Sequence, residues 1–525
     1  MSGAVPSPIM VAASQNWYGR QSFEIQVGTP SQNLQVFISA SVYQTLVVAP
    51  EGCLHSDASD CAALRGGIFY LNTSSTWSKN IANLSSNIYP LEIDPELGFN
   101  GKAELGFDVV TLGWQGAGGP TLDNQTVGGF AAKDSYLGLF GIWPRASNFT
   151  TFDDPIPSYI QNLRNQSLIP STSWAYTAGN QYYLGLNHVL GSLSLGGYDK
   201  SKFVENGVTW PFNSEDARDL TVQIESIAMS NSMESTALLS STIPAFLDSS
   251  LPYIWLPMDS CRLFEDAFGL VWDNTTGLYL VNDSRHDALQ LKNASLTFTL
   301  GNLTARFNVN ITLPYAALDL TASPPLVANT SRYFPLKRAA NESQYVLGRT
   351  LFQEMYVIAD YDRHTFSVSQ CSWESNATQE IVAILPPEIS QDSIPPSKNS
   401  TTSSHGSSTA ATLERLTAVL VIVPLALFAF LYWWFKKRRA AARSAKRDEA
   451  TTAPVIADSE FSKPELHAQD ILPAQELETD KCQWVAEADG QEKPVYEMSA
   501  GEEIPAELAD HRPAAPELDS HKRFS

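Results

Sequence analysis

Short hydrophobic runs alternate with turn-forming residues along most of the chain, over about residues 17–370. The runs are rich in β-branched and aromatic residues, as at 23–27, 34–38 and 356–358, and clusters of Gly, Pro, Asn and Asp separate them. Runs of this kind between turn signals predict short strands rather than helices. The pattern therefore predicts a β-rich domain.

Helical patterns are few and short, and the better candidates are residues 157–166 and 259–268. The chain has 525 residues, which allows roughly two to four domains or one large two-lobed domain with appendages. Hydrophobic residues make up 43% and charged residues 17%, a balance that can bury a core and excludes a wholly disordered chain.

One segment departs from the β pattern. Residues 416–435 carry no formal charge, and they end in Tyr432, Trp433 and Trp434. A helix of this length crosses the roughly 30 Å hydrocarbon core of a bilayer, and aromatic side chains favour its interface. Basic residues follow directly, so the positive-inside rule predicts a single-pass type I span with a cytosolic C-terminus. The alternative, a buried helix of a soluble domain, is disfavoured by the polar flanks.

The flanks of this span differ in composition. Residues 386–415 are rich in Ser, Thr and Pro and predict an extended, O-glycosylated stalk. A polybasic cluster opens the cytosolic segment 436–525: Lys436, Lys437, Arg438, Arg439, Arg443, Lys446 and Arg447. Residues 448–525 contain 19 acidic and 6 basic residues and show little hydrophobic periodicity. This composition predicts a disordered acidic tail.

Charge also bears on the partners. The formal net charge of the chain is −22, which argues against a general nucleic-acid-binding role, since gripping phosphates needs a basic face. The polybasic cluster is expected to contact anionic lipid. The acidic tail either recruits a cytosolic partner or serves solubility alone.

Glycosylation sequons test the predicted topology independently. All of them precede the span, as expected if that part of the chain lies outside the cytosol. They are Asn72, Asn83, Asn124, Asn148, Asn165, Asn274, Asn282, Asn293, Asn302, Asn310, Asn329, Asn341, Asn376 and Asn399. Four cysteines, Cys53, Cys61, Cys261 and Cys371, also precede the span, which predicts two disulfides in any of three pairings.

The N-terminal segment 1–16 has neither a charged start nor the apolar run of a signal peptide. Either the span at 416–435 acts as a late signal anchor for a long preceding domain, or the sequence begins after its natural start. We favour the second explanation.

Six segments, in order along residues 17–372, resemble the pepsin-like aspartic protease family. They are 23–32 (FEIQVGTPSQ), 136–141 (YLGLFG), 191–199 (GSLSLGGYD), 246–250 (FLDSS), 347–349 (LGR) and 356–360 (YVIAD). With the predicted span, the chain resembles membrane-anchored fungal members of that family. The resemblance implies a mostly β, bilobal fold with lobes at 17–203 and 204–385. It also selects the disulfide pairs Cys53 with Cys61 and Cys261 with Cys371.

The family's chemistry needs two carboxylates, one from each lobe, which share a proton and hold the attacking water. The resemblance places Asp248, Ser249 and Ser250 in the second catalytic loop. In the first loop, Ser39-Ala40-Ser41 stands where Asp-Thr-Gly belongs, so Ser39 replaces the first catalytic Asp. A serine hydroxyl does not ionise at useful pH and cannot serve as general base. Glu24 and Glu51 are the nearest acids in sequence.

Asp248 taken by itself would be a turn aspartate that caps its own loop. The resemblance instead makes it the retained member of the catalytic pair. The resemblance also places Phe99, in the segment Gly98 to Gly101, at the tip of the family's flap hairpin. It therefore implies that Ser41, Ser249, Ser250 and Phe99 contact a ligand.

No cofactor or metal is expected, because the sequence has no H-E-x-x-H spacing, no G-x-S-x-G motif and no C-x-x-C pair. Three functions remain. The preferred one is a membrane-anchored pseudoenzyme at the cell surface or vacuole, whose cleft binds peptide or a surface ligand. The alternatives are an atypical active endopeptidase that processes secretory or surface proteins, and a non-catalytic structural protein of the surface or cell wall.

Overall fold

The computed structural model of the protein describes residues 5–387, except 16–20, 80–86, 134, 149–154, 181, 183–188, 232–234, 302–306, 324–326, 328 and 375–376. These residues all belong to the first of two compact units, 1–398. The predicted span at 416–435, the tail at 436–525 and nearly all of the stalk lie outside the described residues. Within the described part, no helix is long and apolar enough to cross a membrane.

The described chain is mostly β, as the alternating pattern predicts. The first half contains these strands and helices: β1 (Ile9–Ala12), β2 (Ser14–Gln15), β3 (Gln21–Val27), β4 (Gln32–Ser39), β5 (Thr45–Val48), α1 (Cys61–Leu64), β6 (Ser78–Lys79), β7 (Ile88–Asp94), β8 (Phe99–Leu112), β9 (Thr121–Phe130), β10 (Gly138–Gly141), α2 (Tyr159–Asn165), β11 (Ser173–Asn180), β12 (Val189–Leu195) and β13 (Gly197–Asp199).

The second half continues in the same manner. It contains β14 (Trp210–Pro211), β15 (Thr221–Ser230), β16 (Ser235–Ala237), β17 (Ile243–Leu247), β18 (Ile254–Pro257), α3 (Met258–Phe268), β19 (Val271–Asp273), β20 (Leu278–Val281), α4 (Asp283–Lys292), β21 (Ser295–Gly301), β22 (Asn308–Pro314), β23 (Leu320–Ala322), β24 (Ser331–Phe334), β25 (Leu336–Ala339), β26 (Val346–Leu347), β27 (Met355–Asp360), β28 (Thr365–Gln370) and β29 (Ile381–Ala383).

Each half builds one large sheet. The first has the order β2-β3-β4-β10-β5-β9-β8-β6, with β7 beside β8, and the second has the order β22-β21-β15-β17-β26-β18-β25, with β16 beside β15. Buried and more exposed residues alternate along β22, as expected for a strand with one face on the core. These two sheets make the bilobal architecture that the resemblance implies.

A third sheet joins the lobes. Its order is β1-β12-β11-β27-β28-β14, so strands from both ends of the domain lie side by side. The residues of β11 are all buried, and Trp174 and Tyr176 of that strand are among the largest fully buried side chains. Burial of such aromatic side chains is a large apolar contribution to stability. The sheet therefore ties the lobes into one core.

Both predicted helices are present, as α2 and α3. In α2, the side chain of Gln161 accepts a hydrogen bond from the backbone N–H of Ser158, which satisfies one of the donors at the helix start. Helix α3 buries Cys261, Phe264 and Phe268 and ends at Gly269, whose φ of 62° needs glycine's freedom. Helix α4 was not predicted from the sequence.

The cysteines confirm one of the two predicted disulfides. Cys53 and Cys61 are bonded, with their Cα atoms 5.8 Å apart. The predicted bond between Cys261 and Cys371 is wrong, because both are free thiols buried in different hydrophobic clusters. Burial raises the pKa of Cys261 to about 12 and that of Cys371 well above its usual range, so both stay protonated and unreactive.

The Cys261 and Cys371 sulfurs have separate neighbours. The Cys261 Sγ atom lies 3.5 Å from the carbonyl oxygens of Leu256 and Lys337. The Cys371 Sγ atom lies 3.3 Å from the Oγ1 atom of Thr177, on the sheet that joins the lobes. Each thiol thus has its own polar contact in its own part of the core.

Candidate active site

The first loop of the site follows β4. Strand β10 runs parallel to β4, with Gly141 opposite Ser39, and antiparallel to β5. The backbone N–H of Gly141 donates to the carbonyl of Gln44, which closes the loop from its far side. A Cβ at Gly141 would lie 2.4 Å from the carbonyl oxygen of Val42, so only glycine allows this approach. The YLGLFG motif therefore holds the Ser39 loop in place.

The second loop repeats this arrangement after β17. Strand β26 runs parallel to β17 and antiparallel to β18. The backbone N–H of Gly348 donates to the carbonyl of Tyr253, and a Cβ at Gly348 would lie 2.1 Å from that oxygen. Asp248 follows β17 directly, as Ser39 ends β4. The Ser39 loop and the Asp248 loop are therefore held by two equivalent strands, β10 and β26.

The buried side chain of Ser249 makes two hydrogen bonds from the second loop to the backbone of the first. The Ser249 Oγ donates to the carbonyl of Ile38 at 2.8 Å and accepts from the backbone N–H of Ala40 at 3.0 Å. Ser249 is fully buried, so these hydrogen bonds are shielded from water. Ala40 has no hydroxyl, so the first loop cannot return an equivalent side-chain bond. The bridge is one-sided.

A chain of hydroxyls surrounds Asp248. The Oγ atom of Ser250 lies 2.6 Å from the Oγ of Ser39 and 2.9 Å from the Oγ of Ser41. Ser41 then donates to the Oδ1 of Asp248 at 2.9 Å, and the backbone N–H of Ser250 donates to the same oxygen at 2.8 Å. The Oδ2 atom is buried and has no hydrogen-bond partner among the described residues. One carboxylate oxygen of Asp248 is therefore buried without a hydrogen-bond donor from the described part of the chain.

The two serines that stand in place of loop glycines fit without strain. Among the described residues, neither Ser41 nor Ser250 has a positive φ, so their backbone lies in regions open to any L-residue. Their hydroxymethyl groups instead fill the space between Ser39 and Asp248.

Asp248 is 1% exposed. Burial raises the pKa of this carboxyl, while hydrogen bonds from Ser250 and Ser41 and the positive charge of Arg349 oppose the shift. The Nη1 of Arg349 donates to the carbonyl of Ser249 at 3.1 Å, and its guanidinium lies 3.6 Å from the centre of the Phe37 ring. Arg349 therefore links the Asp248 loop to a strand of the other lobe.

A hairpin of the first lobe reaches the second lobe beside this site. We call β7, the turn at Pro95–Leu97 and β8 the lid hairpin. Phe99, the predicted tip residue, is the first residue of β8 and directly follows the turn. Its side chain packs against a second-lobe cluster formed by Tyr253, Leu278, Ala322, Val327 and Tyr333.

Polar contacts hold the same tip. The Ser343 Oγ donates to the Oε2 of Glu96 at 3.1 Å, and the Gln344 Nε2 donates to the Glu96 backbone carbonyl at 2.6 Å. Arg218 stabilises the second-lobe turn that contains Ser343 and Gln344, since its guanidinium donates to the carbonyls of Ser343 and Tyr345. The lid hairpin thus bridges the two lobes.

A second carboxyl lies on this hairpin and was missed by the sequence analysis. Burial, together with the negative charge of Asp248, raises the pKa of Asp94 to about 6, although the charge of Arg218 opposes the shift. A bulge between Glu92 and Asp94 in the pairing with β8 re-aims the end of the strand. Glu24 and Glu51 are the acids nearest to the first loop in the sequence. The only sequence signal for Asp94 was its position just before the flap segment that contains Phe99.

Comparison with known proteins decides the family. The model for eukaryotic aspartyl proteases matches residues 22–371, two thirds of the chain. The chain belongs to the eukaryotic aspartyl protease family. Its fold is the pepsin-like one. That the two loops described above are the family's catalytic loops stays a prediction from the sequence.

Relatives from two yeasts agree with this assignment. The aspartic proteinase yapsin-3 of Saccharomyces cerevisiae is 23% identical over 75% of this chain and 74% of its own length. The aspartic proteinase sxa1 of Schizosaccharomyces pombe is 26% identical over 37% of this chain and 36% of its own length. A crystal structure of an aspartic proteinase from Irpex lacteus superposes with a TM-score of 0.47 and 18% identity, over 71% of this chain and 99% of that one.

The tertiary structure brings together most of the site residues expected from the sequence. Ser39, Ser41, Asp248, Ser249 and Ser250 form one hydrogen-bonded group, and Phe99 lies on the adjoining hairpin. In this member of the eukaryotic aspartyl protease family, the group contains one carboxylate, that of Asp248. Among the described residues there is no cluster of three metal-ligating side chains.

Proposed function

We propose that this chain is a pseudoenzyme of the eukaryotic aspartyl protease family whose interlobe cleft binds an extended peptide or a surface ligand without cutting it. The observation that carries the proposal is the 2.6 Å contact between the hydroxyls of Ser39 and Ser250. Where the shared-proton mechanism needs a second carboxylate, this site has a serine already engaged with another serine. Nothing at that position can take a proton from water.

The same geometry supports ligand binding. The Oδ2 of Asp248 is buried without a hydrogen-bond partner, and such a group is stabilised by a ligand that supplies a donor. A peptide N–H is a donor of that kind. Phe99, which is only partly buried where it packs on the second-lobe cluster, adds apolar surface on the hairpin beside this site.

The test uses full-length protein and a pool of unstructured casein peptides between pH 3 and pH 7. Peptides should be retained and recovered intact by mass spectrometry, and Asp248→Ala should weaken retention. Asp259→Asn, on the exposed face of α3, is the matched control and should behave as the wild type. Cleavage blocked by an aspartic-protease inhibitor and abolished by Asp248→Ala would overturn the proposal.

A second candidate is an active endopeptidase of unusual site, which the position of Asp94 favours. A carboxyl with a pKa near 6 beside Asp248 could hold the proton that the family's first Asp normally shares. In that case casein cleavage at acid pH should disappear in Asp94→Asn as well as in Asp248→Ala. Cleavage that persists in Asp94→Asn would exclude this candidate.

We further propose that the domain is a glycosylated ectodomain on a single-pass type I anchor at 416–435, in the secretory pathway. In support, the sequon asparagines that the structure describes are all exposed: Asn72, Asn124, Asn148, Asn165, Asn274, Asn282, Asn293, Asn310, Asn329 and Asn341. Glycosidase treatment should shift the mobility of the correctly targeted, full-length protein. No shift would contradict the proposed topology.

For the cytosolic segment we propose two separate roles. The polybasic cluster contacts anionic lipid, with each basic side chain near the surface contributing about 1 kcal/mol, and the acidic tail recruits a cytosolic partner. A peptide of residues 436–447 should bind phosphatidylserine vesicles in a salt-dependent way, and a peptide of residues 448–525 should not. Salt-independent binding by the acidic peptide would contradict the lipid assignment.

A further inference from the structure

A pocket of about 350 Å³ lies at the end of α2, and its described lining shares no residue with the candidate active site. Pockets that hold small ligands have volumes of about 300–1,000 Å³. Seven described residues line this one: Ala146, Pro155, Pro157, Gln161, Arg164, Asn165 and Thr172. Among them, Asn165 begins the sequon Asn165-Gln166-Ser167. The pocket therefore adjoins a candidate site of covalent modification.

The polar wall of the pocket is one face of α2. Gln161, Arg164 and Asn165 are spaced at i, i+3 and i+4, which brings their side chains together on a helix. The sequon backbone is held at the helix end, where the N–H of Ser167 donates to the carbonyl of Arg164 at 3.0 Å. The exposed Asn165 side chain therefore starts from a fixed position beside the pocket.

The apolar wall is held in place as well. Ala146, Pro155 and Pro157 flank a bridge in which Ser147 and Ile156 exchange two backbone hydrogen bonds, of 2.8 and 2.9 Å. Proline rings and a methyl group offer C–H surface on which the methyl of an N-acetyl group or the face of a sugar ring can pack. The wall opposite the polar one therefore suits the apolar parts of an N-acetylated sugar.

Arg164 supplies hydrogen-bond donors that the described residues do not use. Its side chain is partly exposed, and its guanidinium makes no hydrogen bond or ion pair with another described residue. Gln161 uses its Oε1 atom to accept from the N–H of Ser158, which leaves the donors of its side-chain amide. Sugar hydroxyls and the acetyl carbonyl are acceptors for such groups. The two walls together match the two sides of an N-acetylated sugar.

We propose that this pocket is a carbohydrate site for the chain's own glycan: Asn165 carries an N-glycan whose first N-acetylated sugar lies between the prolines and Arg164. The inference rests on the proposed glycosylated ectodomain. Attachment joins the Asn165 Nδ2 atom to the anomeric carbon of the sugar, while the amide loses a proton and the diphosphate of a lipid-linked sugar donor leaves. Because the sugar is tethered at the rim of the pocket, its effective concentration there is high.

The test is digestion of native, full-length protein from a eukaryotic secretory host with an endoglycosidase that cuts between the first two sugars. Site-specific mass spectrometry follows each glycan. The Asn165 glycan should be released at least about tenfold more slowly than the Asn293 glycan, because a hydrogen bond from a charged guanidinium must open first. Asn293 is the matched site, since it is exposed and follows the last residue of helix α4. After denaturation both should be released at the same rate.

Variants separate the pocket from general effects of folding. Arg164→Ala keeps the sequon but removes the donors, so release at Asn165 in the native protein should speed up by about tenfold. Arg262→Ala, on the exposed face of α3, is the matched control and should leave that rate unchanged. Should Arg164→Ala fold poorly, Asn165→Gln serves instead. It removes the glycan and should lower the melting temperature, whereas Asn293→Gln should not.

Equal release of the native Asn165 and Asn293 glycans would overturn the carbohydrate site. An Asn165 without a glycan, in a protein that is glycosylated at other sequons, would also overturn it. So would an unchanged rate at Asn165 in Arg164→Ala or, where that variant folds poorly, an unchanged melting temperature in Asn165→Gln. If the correctly targeted protein carries no glycan at any sequon, the proposed topology fails too. The two proposals therefore fail on different measurements.

Discussion

The Oγ atoms of Ser39 and Ser250 lie 2.6 Å apart although 211 residues separate them in the chain. Each belongs to one of the two loops that the sequence resemblance aligns with the catalytic loops of the aspartyl protease family. Ser250 also contacts Ser41, which in turn donates to Asp248. The space between the loops is therefore filled by serine side chains, which would obstruct a carboxylate introduced at position 39.

Ser39→Asp alone should produce little acid proteolysis. The new carboxylate would meet the Ser250 hydroxymethyl group at the present hydrogen-bond distance, and Ser41 would still occupy Asp248. Ser39→Asp, Ser41→Gly and Ser250→Gly together remove both obstacles and should give inhibitor-sensitive cleavage of denatured casein above that of the single variant. Equal activity in the single and triple variants would contradict the obstruction by the two serines.

Ser249→Ala should lower the free energy of unfolding by about 1–3 kcal/mol, because it leaves the Ile38 carbonyl and the Ala40 N–H buried without their partner. Thermal or denaturant unfolding measures the change. Ser249→Thr keeps a hydroxyl and should lose less, and the exposed Ser31→Ala should be neutral. A neutral Ser249→Ala would show that the bridge does not stabilise the fold.

Asp219 should make the folded domain more stable in acid. Burial raises its pKa to about 6 from 3.8, so the folded state binds the proton more tightly than the unfolded state. The contribution is greatest below about pH 4 and is lost as pH rises to about 6, by up to about 3 kcal/mol. Asp219→Asn should reduce the decline in unfolding free energy between pH 4 and pH 7 by up to that amount.

The exposed neighbour Asp216 offers the matched control for that measurement. Asp216→Asn should leave the decline between pH 4 and pH 7 as it is in the wild type. If the unfolding free energy of Asp219→Asn falls as much between pH 4 and pH 7 as that of the wild type, the pH dependence is due to other buried acids and not to Asp219.

The cysteines should react with iodoacetamide in two distinct ways. Cys261 and Cys371 should resist iodoacetamide in the native protein and react after denaturation without reductant, because both are buried free thiols. Cys53 and Cys61 should react only after reduction. Peptide mapping under non-reducing conditions checks this, and a cross-linked peptide containing Cys261 and Cys371 would contradict it.

Much of the local structure could be predicted from local pattern. The runs at 23–27, 34–38 and 356–358 fall inside strands β3, β4 and β27, and the two predicted helices are α2 and α3. Helix α4 was missed because only His286 and Leu289 of its ten residues are buried, so its apolar stripe is weak.

The sequence by itself determined the family and the β-rich architecture, because strand alternation and loop motifs are local properties of the chain. It also predicts the replacement of the first catalytic Asp by Ser39. Only the tertiary structure decided which distant groups meet. It separated Cys261 from Cys371, joined the two loops through Ser249, and put Asp94 where burial and the charge of Asp248 raise its pKa. Such contacts depend on how sheets pack and where a hairpin bends, and periodicity along the chain carries no record of either.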